Sequence, residues 1–282
     1  MTSWPQSGRS PTRPTGQDER RALGPAFFVS GATMKLQHQT WPEVEAYLKS
    51  ETGIIIPCGS TEQHGPVGMI GTDAICAEAV AIRVGDTAKA LVAPTLTLGQ
   101  AQFNLGFPGT ISLRAKTLMA LTCDVVASLA GQGFTHIYFV NGHGGNIAPL
   151  QAAFQDLYRD LGGDIRCRIH SWWDHPSVTE LVVENYGDGE GLHATPSEIS
   201  ITQAVLHTVG GTKRPTNIET LDASFIQHHR GDNHLDALSH RNRFPDGRVG
   251  SDPWLASAET GEKILAAAVE ATAADYTIFL NE

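Results

Sequence analysis

The chain has 282 residues, 41% of them hydrophobic and 18% charged, enough to bury a full core as one domain. Twenty basic against thirty acidic residues give a formal net charge of −10, which argues against nucleic acid or an anionic membrane as partner because the overall field repels both. Cys58, Cys76, Cys123 and Cys167 are scattered without CxxC spacing, the pattern of reduced thiols in a cytoplasmic protein rather than of a disulfide framework.

Residues 1 to about 33 are rich in Pro, Gly, Ser, Thr and Arg and show little apolar periodicity. They read as a disordered leader or a non-native extension, with Met34 as the natural start and residues 34 to 282 as a single domain. The leader lacks the apolar core of a signal peptide, and no run in the chain reaches a membrane span, so the expected location is cytoplasmic.

Ile54, Ile55 and Ile56, bounded by Gly53 and Pro57, predict a buried parallel strand. Directly after it the glycine-rich loop of GSTEQHGPVGMIGTD carries Glu62, His64 and Asp73. A carboxylate, an imidazole and a second carboxylate leaving one strand end suit a divalent metal with mixed oxygen and nitrogen donors. Leu91 to Pro94 predicts another short strand, and Leu113 to Leu129 a helix closed by Gly131 and Gly133. Ile137 to Val140 repeats the first arrangement: a strand, the tight loop NGHGGN with His143, and a helix from Ile147. A lone loop histidine is more often structural than functional, but two strands delivering such residues to one sheet edge shift the balance toward a site.

Ile165 to His170 predicts a further strand leading into Trp172 and Trp173, which read as core before they read as substrate wall. His193 and Glu198 precede and open a helix in EGLHATPSEISITQAVL. Thr195, Pro196 and Glu198 also make a capping box, so Glu198 either caps the helix or ligates a metal. Residues 210 to 254 read as a long polar loop whose histidines, His228, His229, His234 and His240, are expected to be mostly solvated or at a subunit contact. Ala256 to Leu280 closes the chain as an alanine-rich helix. Strands alternating with helices predict an α/β fold with a mainly parallel sheet.

Six segments, GSTEQHG, GTD, FPGTISL, NGHGGN, HATPSEIS and PDGRVGSDP, occur in an order and spacing that resembles the creatininase (creatinine amidohydrolase) family, from about Trp41 to the C-terminus. The resemblance implies a three-layer α/β/α sandwich, a two-metal site and hydrolysis of an amide-like carbon–nitrogen bond in a small-molecule substrate. Carried over by position, it makes Glu62 and His143 ligands of one metal, His64 a ligand of the other, Asp73 the bridge and His193 the catalytic histidine. It also implies a homo-oligomer, with a hexamer as the expected assembly. Creatininase proper has a metal-binding glutamate two residues after the loop histidine. Here that residue is Gly145, and Glu198 is the candidate replacement. Trp173, Gly144 and Gly145 are the candidate substrate-binding residues, Trp173 resembling the first of two tryptophans that creatininase lays over its substrate. The approach to His193, YGDGEGL, contains no tryptophan.

Such a site would hold two divalent ions, zinc first and manganese or iron as alternatives. Candidate reactions are deformylation of a formamide, peptide cleavage, opening of a cyclic amide and hydrolysis of an oxidised inositol ring. Two competing readings come from the residues themselves: an anion- or phosphate-binding module built on NGHGGN at a helix N-terminus, and a cysteine amidase built on Cys58, whose place at a buried strand end favours a structural thiol.

Overall fold

In the computed structural model residues 34–207, 212–229 and 236–282 are described. The expected leader and His234 therefore lie outside the described residues. Strand β1 (Gly53–Cys58) is buried along its whole length. It pairs in parallel with β2 (Leu91–Val92) on one side and β3 (His136–Asn141) on the other, and β3 pairs in parallel with β4 (Arg166–Ser171). The sheet order is β2-β1-β3-β4.

Strand alternation divides the core into two halves. Ile55, Tyr138 and Val140 face a cluster with Val80 and Val84 of α2 (Thr72–Ala88), Val178 of α5 (Pro176–Tyr186), Ile201 of α6 (Pro196–Leu206) and Ile264 and Leu265 of α9 (Ala258–Phe279). Ile54, Ile56, Ile137 and Phe139 face a second cluster with Tyr47 of α1 (Trp41–Tyr47), Leu118 and Val126 of α3 (Ala115–Ala130), and Leu150 and Phe154 of α4 (Ile147–Leu161). Helices on both faces of one parallel sheet make the three-layer α/β/α sandwich. A strand covered on both sides needs a continuous apolar run, which is why three consecutive isoleucines can be fully buried.

This order creates a switch point. The chain leaves β1 through α2 on one face, and leaves β3 through α4 on the other. The two loops therefore diverge above the carboxyl ends of adjacent strands, where Cys58 is in register with Asn141. Open α/β sheets bind ligands in the crevice formed there.

Several boundaries differ from the sequence expectation. β2 stops at Val92, two residues before Pro94, and α3 begins at Ala115 rather than Leu113. α2 gives a weak sequence signal because small residues such as Ala74, Ala77, Ala81 and Gly85 line its buried side. The largest correction lies in the segment read as a long loop. It contains α7 (Ala223–His229), α8 (Ala237–Arg243) and a 3-10 turn, Pro253–Leu255. Asp236 caps α8, accepting from the Leu238 and Ser239 amides at 3.0 and 3.1 Å. His240 is not solvated: it is 2% exposed, with ring centroids 4.8 Å from Phe103 and 5.2 Å from Phe244. Burial lowers its pKa to about 4, so the neutral ring packs as an aromatic. Among the described residues no helix is long and apolar enough to cross a membrane.

Candidate metal centre

The loop after β1 folds back on itself, the Glu62 amide donating to the Ile70 carbonyl at 2.8 Å. This turns Glu62 and His64 inward and returns the chain to start α2, whose first turn carries Asp73. The partial positive charge of a helix N-terminus favours a carboxylate at that position. From the adjacent strand, Asn141 fixes the His143 loop: its side-chain oxygen accepts from the His143 amide at 3.1 Å, and its side-chain nitrogen donates to the His143 carbonyl at 2.8 Å. Asn146 ties the two loops together by donating to the Gly59 carbonyl at 2.9 Å. The close fit requires glycine at 142, where a Cβ would lie 2.1 Å from the Asp73 carbonyl oxygen.

These elements bring Glu62, His64, Asp73, His143 and His193 together, none more than 5% exposed, with Glu198 at the edge. Asp73 is the shared member. Its Oδ1 lies 2.9 Å from His64 Nε2 and its Oδ2 lies 3.1 Å from His143 Nδ1. Glu62 Oε1 is 3.4 Å from His143 Nδ1, and Glu198 Oε2 is 3.7 Å from His64 Nε2. Among the described residues three candidate ligand sets result: Glu62 with Asp73 and His143, His64 with Asp73 and Glu198, and Glu62 with His64 and His193. In each set one ligand atom per residue can be chosen so that all lie within 4.8 Å of one another.

The second ring nitrogen of each histidine shows what the first is for. His64 Nδ1 lies 3.1 Å from the Glu62 carbonyl, and His143 Nε2 lies 3.0 Å from the Gln100 carbonyl. A carbonyl only accepts, so these nitrogens carry the hydrogens of the neutral rings. The lone pairs of His64 Nε2 and His143 Nδ1 then face the carboxylates. Lone pairs confronting anionic oxygens repel unless a cation or proton lies between them. Consistent with this, His64 Nε2 and Asp73 Oδ2 are buried outside hydrogen-bond geometry despite their short contacts. The donor set, three carboxylates and two imidazoles, fits divalent zinc, manganese or iron.

Glu198 caps α6 with one oxygen and turns the other into the cluster. Its Oε1 accepts from the Thr195 amide at 2.5 Å, completing the capping box of α6, while Oε2 turns toward His64. Gly145 accepts no replacement side chain, since a Cβ there would lie 2.2 Å from the Gln100 carbonyl oxygen and 2.6 Å from His143 Nε2.

His193 enters from the far side, its ring centroid 4.7 Å from that of His64 and its Nδ1 3.6 Å from Glu62 Oε1. Ala194 follows in the left-handed region at φ 55°, which lets the chain turn from the His193 strand segment into the α6 cap. Gly144 and Gly145 form the short turn after His143. Trp173 is half-buried against the apolar core beside Trp172, ring centroids 5.6 Å apart and perpendicular. Among the described contacts none joins it to the cluster.

Sequence reading did not single out Gln63, Asn104, Gln100 or Glu190. Gln63 and Asn104 meet His193, Gln100 orients His143, and Glu190 accepts from Ser197 of α6. Burial pushes the Glu190 carboxyl up to about 8, so near neutrality it adds little negative charge beside Glu198. Only the position of Gln63 inside GSTEQHG hinted at a role.

A model of the creatininase family, described as creatinine amidohydrolase, matches residues 37–275. The mycofactocin precursor peptide peptidase of Mycolicibacterium smegmatis is 35% identical over 161 residues, 54% of this chain and 62% of that protein. The creatinine amidohydrolase of Pseudomonas putida is 30% identical over 160 residues, 53% of this chain and 62% of that protein. The match thus spans about six tenths of the length of each of these relatives. A solved structure described as "Creatininase Mn" superposes with a TM-score of 0.71 at 25% identity, covering 86% of this chain and 97% of the other.

With no metal bound, the cluster's charge balance rests on protons. Burial disfavours a charged His64 ring, but the Asp73 and Glu198 carboxylates outweigh it and hold its pKa well above 6.5. A raised histidine contributes stability that is fully present below the unfolded pKa and lost as pH rises through the folded one. Chelated protein is therefore expected to lose thermal stability as pH rises above the ordinary histidine range, while metal-loaded protein holds it, because the ion replaces the proton. Melting curves at fixed ionic strength with and without chelator measure this; parallel pH profiles would contradict it.

Proposed function

The chain belongs to the creatininase family, and from that premise we propose that it is a metal-dependent hydrolase cleaving an amide-like carbon–nitrogen bond in a small molecule. The observation that carries the reading is the Asp73 carboxylate, shared between His64 on one oxygen and His143 on the other. In this reading Glu62, Asp73 and His143 would hold one divalent ion, and His64, Asp73 and Glu198 would hold the second. The relatives named above support the bond type, since an amidohydrolase and a peptidase both break a carbon–nitrogen bond next to a carbonyl.

Amide resonance leaves the carbonyl a poor electrophile, and neutral water is a poor nucleophile. A pair of divalent ions supplies Lewis acidity for both problems, polarising the carbonyl and acidifying water. The residues of the chain do the rest. Asp73, anchored at the start of α2, fixes the separation of the two ligand sets. Glu62 and Glu198 balance the charge, and the carbonyl contacts of the second ring nitrogens orient His64 and His143. As water adds to the carbonyl carbon and the carbon–nitrogen bond breaks, the leaving nitrogen needs the proton that water gave up. His193, with Nδ1 turned toward Glu62, carries that proton, the task an imidazole suits near neutrality.

Glutamine substitutions separate these roles. Glu198→Gln keeps an oxygen for the Thr195 amide and so preserves the cap, but offers the pocket a weaker ligand. It is expected to stay folded, lose about one metal per chain and lose most activity on a panel of creatinine, formamides, lactams and short peptides. His193→Gln is expected to retain both metals and lose turnover by about 10² to 10⁴-fold. Full metal content and activity in Glu198→Gln would reduce that residue to a cap, and loss of metal in His193→Gln would make the histidine a ligand. Metal-loaded wild-type protein inert toward every amide on the panel would overturn the proposed bond type.

A further inference from the structure

We propose that Asn146 is a positioning residue for the metal that Glu62, Asp73 and His143 would hold, setting the His143 ring by bracketing the loops that follow β1, β2 and β3. The inference rests on the metal-dependent reading given above. Asn146 closes the NGHGGN segment and is 1% exposed. Its side-chain oxygen accepts from the Gln100 amide at 3.3 Å, in the loop after β2. Its side-chain nitrogen donates to the Gly59 carbonyl at 2.9 Å, just after β1, and to Asn141 Oδ1 at 3.4 Å, at the end of β3. A main-chain amide only donates and a main-chain carbonyl only accepts, so the carboxamide has one orientation. An apolar substitute would strand the Gly59 carbonyl and the Gln100 amide away from water, and the loops would shift to relieve them.

The path from Asn146 to the metal runs through residue 100. The Gln100 carbonyl lies 3.0 Å from His143 Nε2, so the residue that Asn146 grips by its amide holds the ring by its carbonyl. The other ring nitrogen, Nδ1, is thereby turned toward Asp73 Oδ2 at 3.1 Å and Glu62 Oε1 at 3.4 Å. The second ligand set is supported elsewhere: His64 Nδ1 by the Glu62 carbonyl and Glu198 by the Thr195 amide of the α6 cap. Groups that orient a metal-binding imidazole set its affinity for the ion. Asn146 therefore governs one ion of the pair.

Gly99 closes the space on the far side of Asn146. A Cβ there would lie 2.5 Å from Asn146 Oδ1, 2.7 Å from the Gly59 carbonyl oxygen and 3.1 Å from His143 Cδ2. Its φ is not positive, so close packing rather than backbone conformation calls for glycine. FPGTISL holds the same stretch from outside. The Leu113 amide donates to the Gly99 carbonyl at 2.8 Å, and Ser112 Oγ accepts from the Ala101 amide at 2.9 Å. Residues 99 to 101 are thus clamped between that segment and Asn146.

The test is zinc titration of chelated full-length protein, wild type against Asn146→Ala and Gly99→Ala, with anomalous scattering to locate the ions that remain. Asn146→Ala should bind one zinc about 10- to 100-fold more weakly and the other near its wild-type affinity, the surviving peak lying beside His64 and Glu198. Gly99→Ala, which removes no hydrogen-bonding group, should weaken the same zinc. Two ions bound with wild-type affinity in both variants would overturn the proposal. So would parallel weakening of both ions, the mark of general destabilisation, or selective loss of the ion beside Glu198. If neither variant folds, amide hydrogen exchange of the wild type decides: the Gln100 amide should be protected, and exchange at the rate of an exposed loop would overturn the bracket. A wild type that binds no zinc would instead overturn the metal reading itself, an outcome distinct from two-zinc wild type with unaffected variants.

Discussion

A single carboxylate, Asp73, faces two imidazole nitrogens that both have reason to be unprotonated, at 2.9 and 3.1 Å. That arrangement is unfavourable without positive charge between the groups, and burial magnifies the cost because little water is there to screen it. Much of the surrounding structure keeps the groups in place despite that cost. The Glu62 and Gln100 carbonyls fix the histidine tautomers, Asn141 and Asn146 lock the loop around His143, and glycine at 142 lets the start of α2 approach the end of β3. Protons on the cluster are one source of the missing charge and divalent ions the other, so occupancy by metal and the state of His64 are linked.

Sheet topology explains why these residues meet at all. Separated by up to 136 positions, Glu62 and Glu198 could not be brought together by local structure. The β2-β1-β3-β4 order places the β1 and β3 loops side by side while sending their helices to opposite faces. The long C-terminal helix α9 packs on α6 and α2, and so holds the element bearing Glu198 against the one bearing Asp73. Hydrophobic layering and site assembly are therefore one problem: a residue lost from either core half would loosen a ligand-bearing element as well as cost burial energy.

Much of this was legible in the sequence because its signals are short-range. Three consecutive isoleucines bounded by Gly53 and Pro57 announced β1, and polar loops directly after two apolar runs announced the crevice. The resemblance then supplied roles for residues whose types had already pointed to metal. What escaped depends on long-range contact. The capping-box pattern of Thr195 and Glu198 left cap and ligand as alternatives because sequence does not say where each carboxylate oxygen points, and the structure sets one oxygen in the cap and turns the other toward His64. Gln63 is silent in sequence because Asn104, His193 and Gly247 are distant from it along the chain. His240 looked like a polar loop residue until Phe103 and Phe244 closed around it. Trp173, chosen for its likeness to a substrate-covering tryptophan, contacts Trp172 and the core.

The central claim is that Asp73 lies between two metal ions, and anomalous scattering from crystals of metal-loaded protein, measured on both sides of the metal absorption edge, tests it most directly. The account predicts two peaks per chain, about 3.5 to 4 Å apart and flanking the Asp73 carboxylate, one beside Glu62 and His143 and the other beside His64 and Glu198. A single peak, or a pair that does not share Asp73, would contradict it.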